Sequence, residues 1–373
     1  NAGILKSTDG GLSFAMTNID YTSNFPNIDY GGDDFRKEYM FVDVSPTDEN
    51  IVIASDINPN GLVSTIARST DGGQNWNSNS NFGYKNFTID VKFHPTNHNI
   101  AYTLILENGD INFYRSINGG LNFTKVTNGF ANFTNPNNKE IRGRIALTIA
   151  QPDLVAYYLN VSDDGVGIYK STDAGVSWGK TCCGSSTDIV NKSANARDYF
   201  GEGFSAVQIR WATTIAISDV NPNFVAAATN VQPRFSFDQM QTWYWTGSQT
   251  SIPARPRIVK NNSDNCGTEI HGDIQEMIIT GNDIWVANDG GLAISEDGGV
   301  TFKERGDGLP ITMALGFDMT PGERDVIVVA MDHNGVAVKD IDIYGGEWKP
   351  LGGGDASGAS VNPIDDSWLY ARP

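Results

Sequence analysis

The sequence predicts an all-β fold: one seven-bladed β-propeller over residues 1–373, built of four-stranded antiparallel blades. Pairing of the N-terminal with the C-terminal strands is expected to close the ring. Three observations lead there. A turn octapeptide recurs along the chain, a strand–turn–strand unit recurs before it, and the two chain ends carry complementary halves of one repeat.

The octapeptide reads Ser-x-Asp-x-Gly-x-x-aromatic. It occurs as STDGGLSF from Ser7, STDGGQNW from Ser69, SINGGLNF from Ser116, STDAGVSW from Ser171 and SEDGGVTF from Ser295. SFDQMQTW from Ser236 keeps Ser, Asp and Trp but places Met240 where glycine is expected, and DIDIYGGEW from Asp340 is a stretched seventh copy. The physics is that of a hairpin. The Asp side chain bonds nearby backbone amides, the glycine supplies a positive φ, and the aromatic opens the next strand and packs between blades. Asp9, Asp71, Asn118, Asp173, Asp238 and Asp297 are therefore expected to hold turns together rather than to meet a ligand.

The second unit is strand, Pro turn, strand, with Pro46, Pro95, Pro152, Pro222 and Pro321 at its turns and Gly281-Asn282 in the same slot of another copy. A last copy around Pro363 has no octapeptide after it, and the first octapeptide has no strand pair before it. Joined, SVNPIDDSWLYARP and NAGILKSTDGGLSF make one blade, and such closure removes exposed sheet edges.

Composition agrees. The 373 residues include 40 Gly and 36 Asn, the residues that tight turns tolerate best. With 39% hydrophobic residues a packed core is expected, and global disorder is excluded. Twenty-six Lys+Arg against 44 Asp+Glu give a net charge of −18, which argues against nucleic-acid binding. No run of 18 apolar residues exists, so no helix is expected to insert in a membrane. The start at Asn1, without Met or signal peptide, suits a mature secreted protein or an excised segment. Cys182, Cys183 and Cys266 leave one disulfide or three free thiols open, and they form no zinc pattern. No cofactor is expected. Asp163 and Asp164 could bind a structural calcium, although a solvated turn accounts for them as well.

The octapeptide resembles the Asp box of the BNR-repeat β-propeller superfamily, over essentially the whole chain. Blade details are most similar to glycoside hydrolase family 74 (xyloglucanase) and sortilin-like propellers. WLYARP near the chain end and VANDGGLAISEDGG from Val286 resemble the YARTD-x-GG segment of the former. AMDHNGVAV resembles a QDNG segment of related secreted proteins, and GGGDASGASVNP another element of the family. The resemblance implies a propeller that is extracellular, secreted or at the cell surface. It does not carry activity over. Family 74 enzymes set catalytic Asp residues across a cleft between two propellers, and this chain supplies one. Pro373 stands where such an Asp would follow Tyr370-Ala371-Arg372. A second domain or subunit could complete the cleft.

In a blade, the octapeptides and Pro turns share one face. The opposite face receives long segments at about 15–40, 179–210 and 244–273, where binding is expected. Candidate ligand contacts are Tyr30, Tyr199, Arg210, Trp211, Trp245 and His271, joined from shorter loops by Asp56, Asp332 and His333. A hydrolase would use Asp289, with Asp273 or Asp56 as its second carboxylate, about 6.5–9.5 Å away if the chemistry inverts. Arg36, Arg142, Arg144 and Arg210 precede inner strands and could line a central pocket for a carboxylate. The expected function is a binding module for a glycan or protein partner on the long-loop face. A family 74 type glycoside hydrolase acting on β-glucan or xyloglucan, and an architectural platform, are the alternatives.

Overall fold

The computed structural model describes residues 3–10, 12–20, 41–58, 63–84, 87–107, 110–129, 133–134, 141–161, 165–182, 213–228, 233–241, 243–245, 270, 274–299, 301–305, 314–319, 326–331, 335–352, 356, 358–361 and 369–372. They form an all-β chain of antiparallel sheets. A two-stranded sheet holds β1 (Gly3–Lys6) and β2 (Ala15–Asp20). Four-stranded meanders follow. The first is β3 (Val42–Val44), β4 (Val52–Asn58), β5 (Val63–Ser69) and β6 (Asn77–Tyr84). The next is β7 (Phe87–His94), β8 (Asn97–Glu107), β9 (Asp110–Ser116) and β10 (Thr124–Lys125), with β11 (Phe133–Thr134) also on β9. Then come β12 (Ile141–Leu147), β13 (Val155–Val161), β14 (Gly165–Ser171) and β15 (Gly179–Cys182). The fourth meander is β16 (Thr214–Ile217), β17 (Val225–Ala228), β18 (Arg234–Ser236) and β19 (Tyr244–Trp245).

The fifth is β20 (Ile274–Thr280), β21 (Asp283–Asn288), β22 (Gly291–Ser295) and β23 (Lys303–Glu304). The sixth is β24 (Ala314–Met319), β25 (Val326–Met331), β26 (Gly335–Asp340) and β27 (Trp348–Gly352), with the one-turn helix α1 (Ile341–Tyr344) before β27. A last two-stranded sheet pairs β28 (Gly358–Val361) with β29 (Leu369–Arg372). Among the described residues β1 pairs with β2 and β29 with β28.

Consecutive sheets stack face to face, with the apolar clusters between them. Tyr102, Leu104 and Phe113 meet Ile145, Tyr157 and Trp178 in one cluster; Tyr158 and Ile168 meet Ile217 and Met240 in the next; Phe235 and Ala226 meet Met277 and Val286 in a third. Both faces of a middle sheet are thus buried, which explains near-continuous apolar strands such as β16 and β17. The first strands touch in order, β3 on β7, β7 on β12, β12 on β16 and β16 on β20. The fourth strands β10 and β23 are exposed, so those two sheets end on a solvated outer strand.

The two end sheets pack on the first and the sixth meander. Ile4 of β1 packs on Val52, Ala54 and Trp76 of the first meander, while Val361 and Leu369 pack on Val328 and Ala330 of the sixth. Ile278 of β20 and Phe317 and Met319 of β24 are exposed, as are Val42 and Val44 of β3.

The octapeptides share one geometry. Ser Oγ donates to Oδ1 of residue 118 or of the Asp at distances of 2.7–2.9 Å, as in Ser69–Asp71, Ser116–Asn118 and Ser171–Asp173. It also accepts the amide four residues on, from Gly73, Gly120, Gly175, Met240 or Gly299. Two consecutive residues take positive φ rather than one: Gly72 and Gly73, Gly119 and Gly120, Ala174 and Gly175, Gln239 and Met240, Gly298 and Gly299. In the copy from Asp340 the turn is instead α1, capped by the Asp340 carboxylate and closed by left-handed Gly345. Trp348 behind it is 49% exposed, so it is not blade core like Trp76, Trp178 and Trp243.

Candidate functional site

The turn face is occupied by its own bonding. The first positive-φ residue of each octapeptide donates to the Pro turn of its own sheet, Gly72 to Asn50, Gly119 to Asn99, Ala174 to Asp153 and Gln239 to Asn223. The basic residue before the serine reaches the next repeat. Arg68 Nε donates to the Gly119 carbonyl (2.8 Å), Arg115 Nε to Ala174 (2.7 Å) and Lys170 Nζ to Gln239 (3.3 Å), and Lys6 Nζ lies against Gly72. Pro turns are tied likewise, Thr148 Oγ1 donating to the Ser218 carbonyl and Ser218 Oγ to Gly281.

The box carboxylates are spent on this scaffold. Asp71 Oδ1 accepts from Ser69 and from the amides of Gln74 and Asn75, and Oδ2 accepts from the Asn75 side chain. The Asn75 bonds, then that from Ser69, hold the Asp71 pKa at about 2. Bonds from Ser13 and Ser7 hold Asp9 at about 2. For Asp173 burial pulls upward, but bonds from Ser177 and Ser171 prevail, again giving about 2. Asp238 accepts from Ser236 and Gln241, and Asp297 from Ser295 and Thr301. Asn118 accepts the Asn122 amide where an aspartate does so elsewhere.

At the opposite end of the sheets, Asp289 sits in the β21–β22 turn, where Gln275 Nε2 donates to its Oδ1 (3.0 Å). Asp56 of β4 stands opposite Thr65 of β5, and Trp245 of β19 opposite Arg234 of β18. Tyr30, Tyr199, Arg210, Trp211, His271, Asp273, Asp332 and His333 lie outside the described residues, as do Asp163, Asp164, Cys183 and Cys266.

What the sequence reading missed is a mixed-charge cluster where the first strands converge. β3 brings Asp43, β7 brings Asp90 and Lys92, β12 brings Arg144 and β20 brings Glu276. Two of its carboxylates clamp sheet to sheet: Asp43 Oδ2 accepts the Phe93 amide (2.6 Å), and Asp90 Oδ2 accepts that of Ile145 (2.7 Å). Arg144 lies over the Phe41 ring, 4.8 Å from its centroid, and its Nε stands 3.8 Å from Glu276 Oε2. That is an ion pair, too long for a hydrogen bond. Strands β12 and β20 belong to sheets separated by a third, so the contact requires the stack to curve around a common centre.

Desolvation and charge oppose each other in this cluster. The Glu276 side chain is 53% exposed to water. Yet surrounding atoms raise its pKa, against the pull of Arg144 and Lys92. Burial likewise raises Asp43. Burial works to lower Lys92, but the charges of Asp90, Asp43 and Glu276 outweigh it and raise its pKa. Among the described residues Lys92 makes no direct ion pair or hydrogen bond, and Arg144 Nε has no hydrogen-bond partner. Arg144 therefore faces Glu276. The sequence offered only its place before an inner strand as a signal.

No protein-family model matches the sequence, and no curated protein matches it. Among solved structures the chain is similar to a GH74 enzyme of Niastella koreensis at 16% identity, over 89% of this chain and 62% of that one, with a TM-score of 0.41. It is similar to an ancestral GH74 enzyme at 15% identity, over 99% and 63%, with a TM-score of 0.38. It is also similar to YCF48 from Cyanidioschyzon merolae at 15% identity, over 86% and 88%, with a TM-score of 0.40. The chain spans less than two thirds of the length of either GH74 enzyme.

Proposed function

We propose that the chain is a single seven-bladed propeller of Asp-box type, its last blade completed by β29 pairing with β1, and that it is an extracellular or cell-surface binding module for a glycan or protein partner. The stacking of Ile4 and of Val361 on the two sheets that would flank that blade supports the closure. The binding site lies where the first strands converge and opens toward the face of Asp289. One observation carries this reading. Donors and acceptors on the turn face are tied into the scaffold, whereas among the described residues Glu276, Lys92 and Arg144 keep hydrogen-bonding capacity unspent. Polar groups brought together with bonds to spare are what a specific polar ligand needs.

The second reading, a glycoside hydrolase of family 74 type, is favoured by Glu276. A crowded carboxyl with a raised pKa suits a general acid, and Asp289 is anchored through the adjacent Gln275. The experiment that separates them incubates the purified chain with a glycan array, then with xyloglucan and other β-glucans, and measures reducing-end release. Saturable binding without release supports the module. Release that disappears in Asp289→Asn would replace it with the hydrolase.

A further inference from the structure

Resting on the binding-module reading, we infer that the inner-strand cluster takes a neutral, hydroxyl-rich sugar residue, held between Glu276 on one side and Lys92 and Arg144 on the other. The argument is one of charge and of unspent bonds. Three carboxylates and two cations meet there, from β3, β7, β12 and β20. Asp90 accepts the amides of Val91 and Ile145, and Asp43 holds the Phe93 amide. Glu276 is the acceptor half in water; among the described residues the Lys92 ammonium has no ion pair or hydrogen bond, and Arg144 Nε has no hydrogen-bond partner.

An anionic ligand entering this space meets Glu276 and Asp43, and a cationic one meets Lys92 and Arg144. Either buries an unbalanced like charge beside its own sign, which costs more than its opposite partner returns. A hydroxyl escapes the conflict because it donates and accepts at once. A vicinal pair of hydroxyls can donate to Glu276 while accepting from Lys92 or Arg144, leaving every charge in the cluster compensated. The Arg144–Glu276 separation of 3.8 Å leaves that pair without a hydrogen bond of its own for the sugar to break. Among the described residues the charges acting on Glu276 are Arg144 on β12 and Lys92 and Asp90 on β7, while Asp43 on β3 acts on Lys92. A sugar that needs the ionised carboxylate is therefore released as pH falls through its raised pKa.

The test titrates the whole chain calorimetrically with glucose, galactose, xylose and N-acetylglucosamine, each beside its uronic acid or amino-sugar counterpart. Methyl glycosides and oligosaccharides run in parallel, to distinguish a free sugar from the end of a glycan. At least one neutral sugar is expected to bind about tenfold or more tightly than its charged counterparts. Glu276→Gln, which keeps shape at a half-exposed position, and Lys92→Met are each expected to weaken it about tenfold. Thermal melts verify that both variants are folded. Equal affinity for the acid or the amine overturns the inference, as do folded variants that both bind like the parent. Glycan binding retained by both variants overturns the cluster assignment and leaves the module reading intact. A blank glycan array overturns the inference together with the glycan form of that reading.

Discussion

Ser171→Ala tests whether the octapeptide is held by its hydroxyl. Ser171 is 2% exposed; its Oγ donates to Asp173 (2.7 Å) and accepts the buried Gly175 amide (2.9 Å). Without the oxygen, the exposed Asp173 carboxylate turns to water at little cost. The Gly175 amide cannot, because the Tyr102 and Phe113 rings close over it at 3.0–3.2 Å from where a Cβ would stand. Leaving that donor buried and unpaired costs about 2 kcal/mol. For cooperative unfolding of 373 residues this lowers the melting temperature by about 2–3 °C. Ser7→Ala is the internal control, since its bonds to Asp9 are exposed, and its shift should stay below about 1 °C. The assay is a thermal melt by circular dichroism on both variants. Equal shifts for Ser171→Ala and Ser7→Ala would refute the reasoning.

Gly175→Ala should be worse than the serine change: φ is +78° and the new Cβ meets Tyr102, so about 2–4 kcal/mol is lost, read from the urea midpoint. Ala174→Gly should stabilise by about 0.5–1 kcal/mol, because Ala174 sits at φ 55° where an L side chain is strained. Asp9, Asp71 and Asp173 have folded pKa values of about 2, below the 3.8 of the free side chain. Their stabilisation is thus present above about pH 4 and lost as pH falls toward 2, and Asp71→Asn should flatten part of that acid limb in a pH series of melts. Glu276 runs the other way, with a folded pKa above 4.5, so sugar affinity should fall with pH through a midpoint above that value. Glu276→Gln should abolish the dependence in the same titration.

The octapeptide was legible because its interactions span four residues or fewer. Ser, Asp, two left-handed positions and a following aromatic are all fixed by local stereochemistry, and even Asn118 fits. The basic residue before the serine was equally visible, at Lys6, Arg68, Arg115 and Lys170, yet its role was not. Its acceptor is a carbonyl 51, 59 or 69 residues away in the next repeat, where Arg68, Arg115 and Lys170 are concerned. Met240 read as decay of the motif. In the fold its side chain is fully buried against the preceding sheet, whereas at Gly120, Gly175 and Gly299 the preceding sheet presents Ile53, Tyr102 or Phe235 and leaves no room for a Cβ.

The site shows the same division. Asp43 and Lys92 each stand three residues before the proline of their repeat, but that position carries opposite charges in the two, and no shared residue type joins them to Asp90, Arg144 and Glu276. By itself the sequence determined the repeating unit: four short antiparallel strands, a turn locked by Ser and Asp, and apolar faces that must be covered on both sides. Each of those is a matter of a few neighbouring residues and of the period-2 alternation of a strand. Only the tertiary structure decided which inner-strand side chains come together, because that depends on how far each sheet rotates against the last. Arg144 meets Glu276 across an intervening sheet, and their geometry is set by the accumulated stacking of buried faces rather than by any local preference.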